Sequence, residues 1–474
     1  MAVKPSSFYA ILARFSATFT RPSFRNFTAL VVGWVLGSGR RTISQALRAG
    51  GQLASGKHFS ALYRFFSDAS WVVDDLGQVV FELMLPFVQG LVLTVAVDDT
   101  LCRRTGPQIF GAGMHHDASR STYGSRVAGK RQLAFAFGHS WVILSLWVPV
   151  PWNPAKGIAV PILFRLYRPK KLTPATDYRK RTQIARELVE ILAGWLKGRE
   201  RGVLLVADSE YACRTVLRRL PPGFEFAGPI VMHAALNSLE VRKRVPGQRG
   251  APHRYGPRLP SPNELLADDS VPWKRHNLTL YSREVQILIK AVECSWFRVA
   301  GKRPIRVILT RDPRGRWKDR AFFTTVTSAT IEQTLTAISR RWCLEVTFRD
   351  VKQHLGLMEP QNGWWRRARA RKKAPLPGPQ PRGRRGSRAA ERTAPMILAL
   401  YGIIHAWYFH CGNPARDVSR ARTLAPWYTR KREPSFLDIL GALRRHLAGT
   451  DELAADPGEE RIMKEFAGPA QKAA

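Results

Sequence analysis

The sequence predicts an α/β protein with a helical N-terminal region, on three observations. Two short apolar runs, Leu91–Val97 and Val203–Ala207, are nearly continuous, as strands buried on both faces are, and an aspartate follows each. Between them, Asp177–Lys197 carries Ile184, Leu188, Ile191, Leu192 and Trp195 on one side, the spacing of an amphipathic helix. Ahead of both, Phe27, Leu30, Val31, Trp34 and Val35 recur at helical intervals.

Residues 1–88 read as short helices: one after Pro22-Ser23, then Thr42–Leu53, Phe59–Phe66 and a fourth from near Asp74, with basic residues at their ends. This pattern suits a DNA-binding or dimerising domain, and a plain helical bundle fits it equally. Residues 89–358 form a second region. In it Leu91–Val97 is followed by a polar loop, Arg103–Lys130, and then by Gln132–Phe137 and Trp141–Val148 around Gly138-His139-Ser140, which predicts a hairpin. Ile158–Leu166 is a further strand. After Val203–Ala207, Tyr211–Leu220 is predicted helical and Pro229–His233 extended. Residues 234–299, with a basic loop at Arg242–Pro260 and extended runs such as Val285–Val292, read as a β-rich insertion. Strands Arg306–Thr310 and Ala321–Val326 lead into a long helix, Ile331–Leu355. Residues 359–474 hold a basic stretch without a single acid (Arg366–Arg388), an apolar helix (Pro395–Phe409) and a polar tail after Gly449.

At 474 residues the chain has room for two or three domains and one large core. Charge is the outlier: 75 Lys and Arg against 36 Asp and Glu leave a formal net charge of +39. Such a chain needs a polyanionic partner. Nucleic acid is the first choice, because neutralising its phosphates releases counterions; an anionic membrane surface is the weaker alternative. Cys102, Cys213, Cys294, Cys343 and Cys411 form no Cys-x-x-Cys pair, so zinc-site spacing is absent and usage is that of a reduced compartment. The most hydrophobic stretch, Val79–Val97, is broken by Glu82, Pro86, Gln89 and Gly90 and reads as a helix end and a strand. The expectation is a cytoplasmic, nucleoid-associated protein with no membrane partner.

Asp98 and Asp208 follow the two buried strands. Strand ends line the crevice of an α/β sheet, and a rigid approach suits a metal site. Mg²⁺ takes hard oxygen ligands and keeps part of its water, so two or three carboxylates suffice. Either aspartate alone also fits a turn former. In the long helix Ile331, Leu335, Ile338 and Trp342 form an apolar stripe, and Arg341, Glu345 and Lys352 share one face beside it. Such a row can bind metal through the glutamate and phosphates through the cations. An exposed salt-bridge row has the same spacing.

At these residues the chain resembles the DDE superfamily of bacterial insertion-sequence transposases, in the branch with a Tyr-x-x-Arg-x-x-x-Glu-x-x-x-x-x-x-Lys signature. Arg341, Glu345 and Lys352 fit in register, while Ile338 stands at the Tyr position. Asp98-Asp99-Thr100 is similar to the first family motif, with Asp99 as the fallback ligand, and Asp208-Ser209-Glu210 to the second. The resemblance implies an RNase H-like mixed sheet flanked by helices, with the insertion ahead of the Glu-bearing helix. It implies catalysis by Asp98, Asp208 and Glu345 holding two Mg²⁺ or Mn²⁺ ions, and DNA phosphates gripped by Arg341 and Lys352. The substrates are the terminal inverted repeats and target DNA, and a homodimer on DNA is implied because two ends are cut together.

Beside the basic stretch, Trp364 and Trp365 are candidates to stack on an unpaired base, with Arg366 and Arg367 as phosphate contacts; packing against the helix end is the competing role. His139 reads as structural, because a metal already supplies the nucleophile. Glu210 reads either as support for Asp208 or as a helix N-terminal carboxylate. Three functions follow: a DNA transposase, a catalytically decayed or domesticated DNA-binding protein, and an endonuclease without strand transfer. A structural RNA-binding protein fits the charge and leaves the strand-end carboxylates unexplained.

Overall fold

Capping and apolar spacing set the N-terminal helices α1 (Phe8–Ala13), α2 (Arg21–Leu36), α3 (Ile43–Ala49), α4 (Ser60–Ser67) and α5 (Val73–Met84). The Thr20 hydroxyl accepts from the Ser23 amide and Pro22 fills the first turn of α2, while Thr42 caps α3 in the same way. The computed structural model describes residues 7–449 apart from 55–57, 107, 119, 122–132, 242–250, 252, 281–282 and 361–381. Trp364, Trp365, Arg366, Arg367 and the tail after Gly449 therefore lie outside the described residues.

The strands are β1 (Val92–Arg103), β2 (Gly113–His116), β3 (Phe135–Val150), β4 (Asn153–Tyr167), β5 (Gly202–Ala207), β6 (Phe224–Pro229), β7 (Lys274–Leu280), β8 (Arg283–Ser295), β9 (Pro304–Arg311) and β10 (Arg320–Thr324). They make one sheet in the order β2-β3-β1-β5-β6-β10-β9-β8-β7, with β4 also paired to β3. β4, β3 and β1 run antiparallel, whereas β1, β5 and β6 run parallel. Three antiparallel strands followed by two parallel ones, flanked by helices, is the RNase H-like arrangement. The expected insertion contributes β7 and β8, which continue this same sheet through β9 and leave β7 as its edge.

Helices α6 (Arg181–Trp195), α7 (Arg214–Leu217), α8 (Pro262–Ala267) and α9 (Phe297–Ala300) connect the strands. Then come α10 (Ile331–Arg340), α11 (Trp342–His354), α12 (Arg384–Cys411), α13 (Pro414–Leu424) and α14 (Phe436–Leu447). One hydrophobic core runs from Phe8 to Leu443, joining the helices of both ends to the sheet. α12 is long and apolar enough to cross a membrane, and it is buried along most of its length. At Gly77 a Cβ would sit 1.9 Å from the Ile162 carbonyl oxygen, so glycine is what lets α5 lie on β4.

Several expectations need correction. Gln132–Phe137 and Trp141–Val148 are not a hairpin: Gly138-His139-Ser140 lies inside the single strand β3, and the turn comes after Val150. Gly138 is required there because a Cβ would come 2.2 Å from the Cys102 carbonyl oxygen. The strand expected at Pro229–His233 ends at Pro229, and the helix expected at Tyr211–Leu220 shrinks to α7. The helix Ile331–Leu355 breaks at Arg341, and Trp342 is 52% exposed rather than part of the apolar stripe. α12 begins at Arg384, inside the expected basic linker, and carries Pro395 within it.

Candidate active site

β1 supplies the centre of the site. Its residues alternate between the two faces of the sheet, so neighbouring acids point apart. Asp98 turns towards α11: its Oδ2 accepts from Arg341 Nη1 at 2.6 Å, and its Oδ1 accepts from the Asp99 amide at 2.8 Å. Asp99 turns the other way. It accepts from Ser140 Oγ at 3.2 Å and Tyr211 OH at 3.4 Å, and Arg181 Nε stands 3.4 Å away.

Asp208 comes from the neighbouring strand. Val97 of β1 is paired in parallel with Ala207 of β5, so Asp98 and Asp208 are the next residues along adjacent chains. Parallel neighbours lie about 4.8 Å apart, which puts the two carboxylates close together. The Glu210 amide donates to Asp208 Oδ1 at 2.9 Å, a brace that fixes the carboxylate's direction. Glu210 is not in a helix, which removes the helix-terminus role for its side chain; that side chain lies 3.9 Å from Arg181 Nη1.

Glu345 enters from α11, one turn past the break. Arg341 Nη2 donates to its Oε1 at 2.8 Å, so a single guanidinium holds Asp98 with one arm and Glu345 with the other. Lys352 lies further along α11, near enough to the Cys102 thiol on β1 to interact with it. Ile338, at the Tyr position of the signature, packs partly buried against the core.

The electrostatics follow from burial. Loss of water pushes the Asp98 carboxyl up to about 7; Arg341 opposes the shift, and Asp208 and Asp99 add to it. Asp208 is also raised, first by burial, with Asp99 adding to it and Arg341 and two backbone amides working against it. Two buried acids that repel each other call for a cation, and Arg341 now answers that call. The donors are carboxylate oxygens, the ligands that Mg²⁺ and Mn²⁺ prefer, so the chemistry of the set fits a hard divalent ion. Among the described residues no three of His, Cys, Asp and Glu form a group close enough to hold a metal, and Glu345 is paired with Arg341.

Three residues escaped the reading of the sequence. Arg181, at the start of α6, lies over the Tyr167 ring at 4.6 Å and braces Asp99; nothing in its spacing pointed to β1. Tyr211 reaches Asp99 from beyond β5. Arg104 is buried and donates to the Leu357 and Met358 carbonyls at 3.4 and 2.8 Å, tying the end of β1 to the chain just past α11. Its Nε also donates to His139 Nδ1 at 3.3 Å. His139 Nε2 is 2.8 Å from the Phe110 carbonyl oxygen. Burial pushes the imidazole down to about 3, so His139 is a neutral strut.

A family model described as DDE superfamily endonuclease matches residues 14–296, which include Asp98 and Asp208 and stop short of Glu345. No curated protein matches the chain. The match spans more than half of the 474 residues and falls on an RNase H-like sheet with two aspartates on adjacent parallel strands: the chain belongs to the DDE superfamily endonucleases.

Proposed function

We propose that the protein is a DNA transposase that cleaves at the ends of its element and joins them to target DNA, with Asp98, Asp208 and Glu345 as catalytic carboxylates. The observation that carries this reading is the bridge from Asp98 through Arg341 to Glu345, beside Asp208. It links two of the acids, from separate stretches of chain, through one guanidinium.

The three carboxylates would hold two Mg²⁺ or Mn²⁺ ions, which supply an activated nucleophile and charge neutralisation at the leaving oxygen. The chain's own contribution is position. The backbone amides of Asp99 and Glu210 fix the directions of Asp98 and Asp208. Arg341 keeps the acids from repelling one another before DNA arrives, and once released it is a bidentate donor for a phosphate. Lys352 adds a second cation on the same helix. The net charge of +39 favours DNA as the substrate, and a homodimer follows from the need to cut two ends together. A DNA substrate also accords with a cytoplasmic, nucleoid-associated location.

The test is cleavage of a labelled duplex carrying the element's own end, with Mg²⁺ or Mn²⁺, by the wild type and by Glu345→Ala. Metal-dependent nicking and joining that vanish in the variant, with DNA binding retained, support the assignment. Nicking without joining reduces the function to an endonuclease. Binding without cleavage by either protein means a decayed copy.

A further inference from the structure

The C-terminal helices carry a surface the carboxylates do not use. Leu424, the last residue of α13, is 73% exposed, and in the link to α14 Trp427 is 73% exposed and Tyr428 54%. Trp427 and Tyr428 stand side by side, ring centroids 6.0 Å apart. A large aromatic left in water forgoes the stabilisation of burial, and a cluster of such residues marks a binding surface. The loop is also tied down. Glu433 accepts from Asn153 Nδ2 at 2.6 Å and pairs with Lys156 at 3.1 Å, and Lys431 pairs with Asp438 at 2.6 Å. Arg422 donates to the Lys431 carbonyl, closing the loop onto α13. Held on both sides, the rings stay exposed.

Among the described residues, the charges around them that lack an ion pair are positive. Arg420, Arg430 and Arg432 are exposed and carry no ion pair among the described residues. The acids nearby are occupied: Asp417 by Arg445 at 2.7 Å and Tyr408 at 2.8 Å, and Glu433 by Lys156. The partner must therefore bring negative charge and flat apolar faces together. A second copy of this chain brings the wrong charge, at +39. Duplex DNA brings phosphates but keeps its base faces stacked. A single strand offers both.

We propose that residues 420–432 form a contact for single-stranded DNA, in which Trp427 and Tyr428 stack on unpaired bases and Arg420, Arg430 and Arg432 hold phosphates. The contact is remote from the carboxylates. It leans on the β3–β4 turn through Asn153 and Lys156, while Asp98 lies opposite Ile143. From Ile143 to Val150 the strand covers roughly 23 Å, so bases stacked here lie several nucleotides from a phosphate at Asp98. The inference rests on the nucleic-acid partnership proposed above but not on cleavage.

The experiment measures fluorescence anisotropy with the full chain in chelator, using a labelled single-stranded DNA, its duplex, and the RNA of the same sequence. Trp427→Ala/Tyr428→Ala is expected to bind the single strand about tenfold more weakly, the scale of lost base stacking, with duplex affinity and salt dependence unchanged. Arg430→Ser/Arg432→Ser should flatten the salt dependence for the single strand by about 0.7 per arginine. Unchanged single-strand binding in both variants overturns the proposal. So does an equal loss on the duplex, a preference for RNA, or a change of oligomeric state in sedimentation with single-strand binding intact. If the wild type binds no DNA at all, the broader functional reading falls as well.

Discussion

Asp98 and Asp99 are neighbours in sequence and belong to different environments. Asp98 faces α11 and is joined through Arg341 to Glu345. Asp99 faces α6 and is held by Ser140, Tyr211 and Arg181. One set of partners comes from the helix that also presents Glu345 and Lys352; the other is a closed hydrogen-bonded brace. The difference teaches that strand alternation, rather than residue type, decides which partners each of two adjacent acids meets.

The strongest way to break this contrast is to remove each acid in turn. Asp98→Ala is expected to lower cleavage by a thousandfold or more, roughly 4 kcal/mol of transition-state stabilisation. Asp99→Ala should lower it by about ten- to a hundredfold, the range for supporting residues around a metal site. Single-turnover cleavage rates measure both, and equal losses would make Asp99 a ligand too. Next comes Arg341→Ala. Without a resident cation competing for Asp98 and Glu345, Mn²⁺ measured by calorimetry should bind roughly tenfold more tightly, about 1.4 kcal/mol. Unchanged or weaker binding would show that Arg341 does not occupy the ion's place.

The pH dependence sharpens the same comparison in metal-free protein. Folding raises the Asp98 carboxyl from 3.8 to about 7, so the folded state holds this proton more tightly than the unfolded chain does. Its contribution to stability is fully present below about pH 4 and is lost as the pH rises to about 7. Thermal melts in chelator should show Asp98→Asn gaining a few degrees on the wild type near neutral pH and converging with it in acid. A constant gap across the range would contradict that sign. The smallest effect is expected on the Asp99 side: Ser140→Ala removes the hydroxyl that donates to Asp99 and accepts from Arg181 and should cost about 1–2 kcal/mol in denaturant unfolding, with cleavage little changed.

Much of this arrangement was legible. The cores of β1 and β5 were readable because both faces are buried, which leaves a nearly continuous apolar run ahead of each acid; β5 ends before Asp208 as expected, whereas β1 runs on to Arg103, so Asp98 lies inside the strand rather than at its end. The spacing of Arg341, Glu345 and Lys352 was equally plain. The family model covers the two aspartates and stops before α11, so Glu345 rests on that spacing and on the bridge to Asp98. What could not be read depended on distant partners. Gly138-His139-Ser140 looks like a turn because its polar atoms are satisfied by Cys102, Arg104, Phe110 and Asp99, all remote in sequence. α12 begins among arginines because Arg385 pairs with Asp68 and Arg392 donates to the Phe66, Ala69 and Trp71 carbonyls. No local pattern announces such anchors.

The edge of the sheet has a consequence for crowding. β7 ends the row of strands with its outer backbone groups unpaired by the sheet, and Lys274 and Arg275 stand exposed along it. Proteins attracted to the same polyanion are concentrated beside one another, where open edges invite strands of two molecules to zip together into fibrils. Cations along the rim make such zipping repulsive.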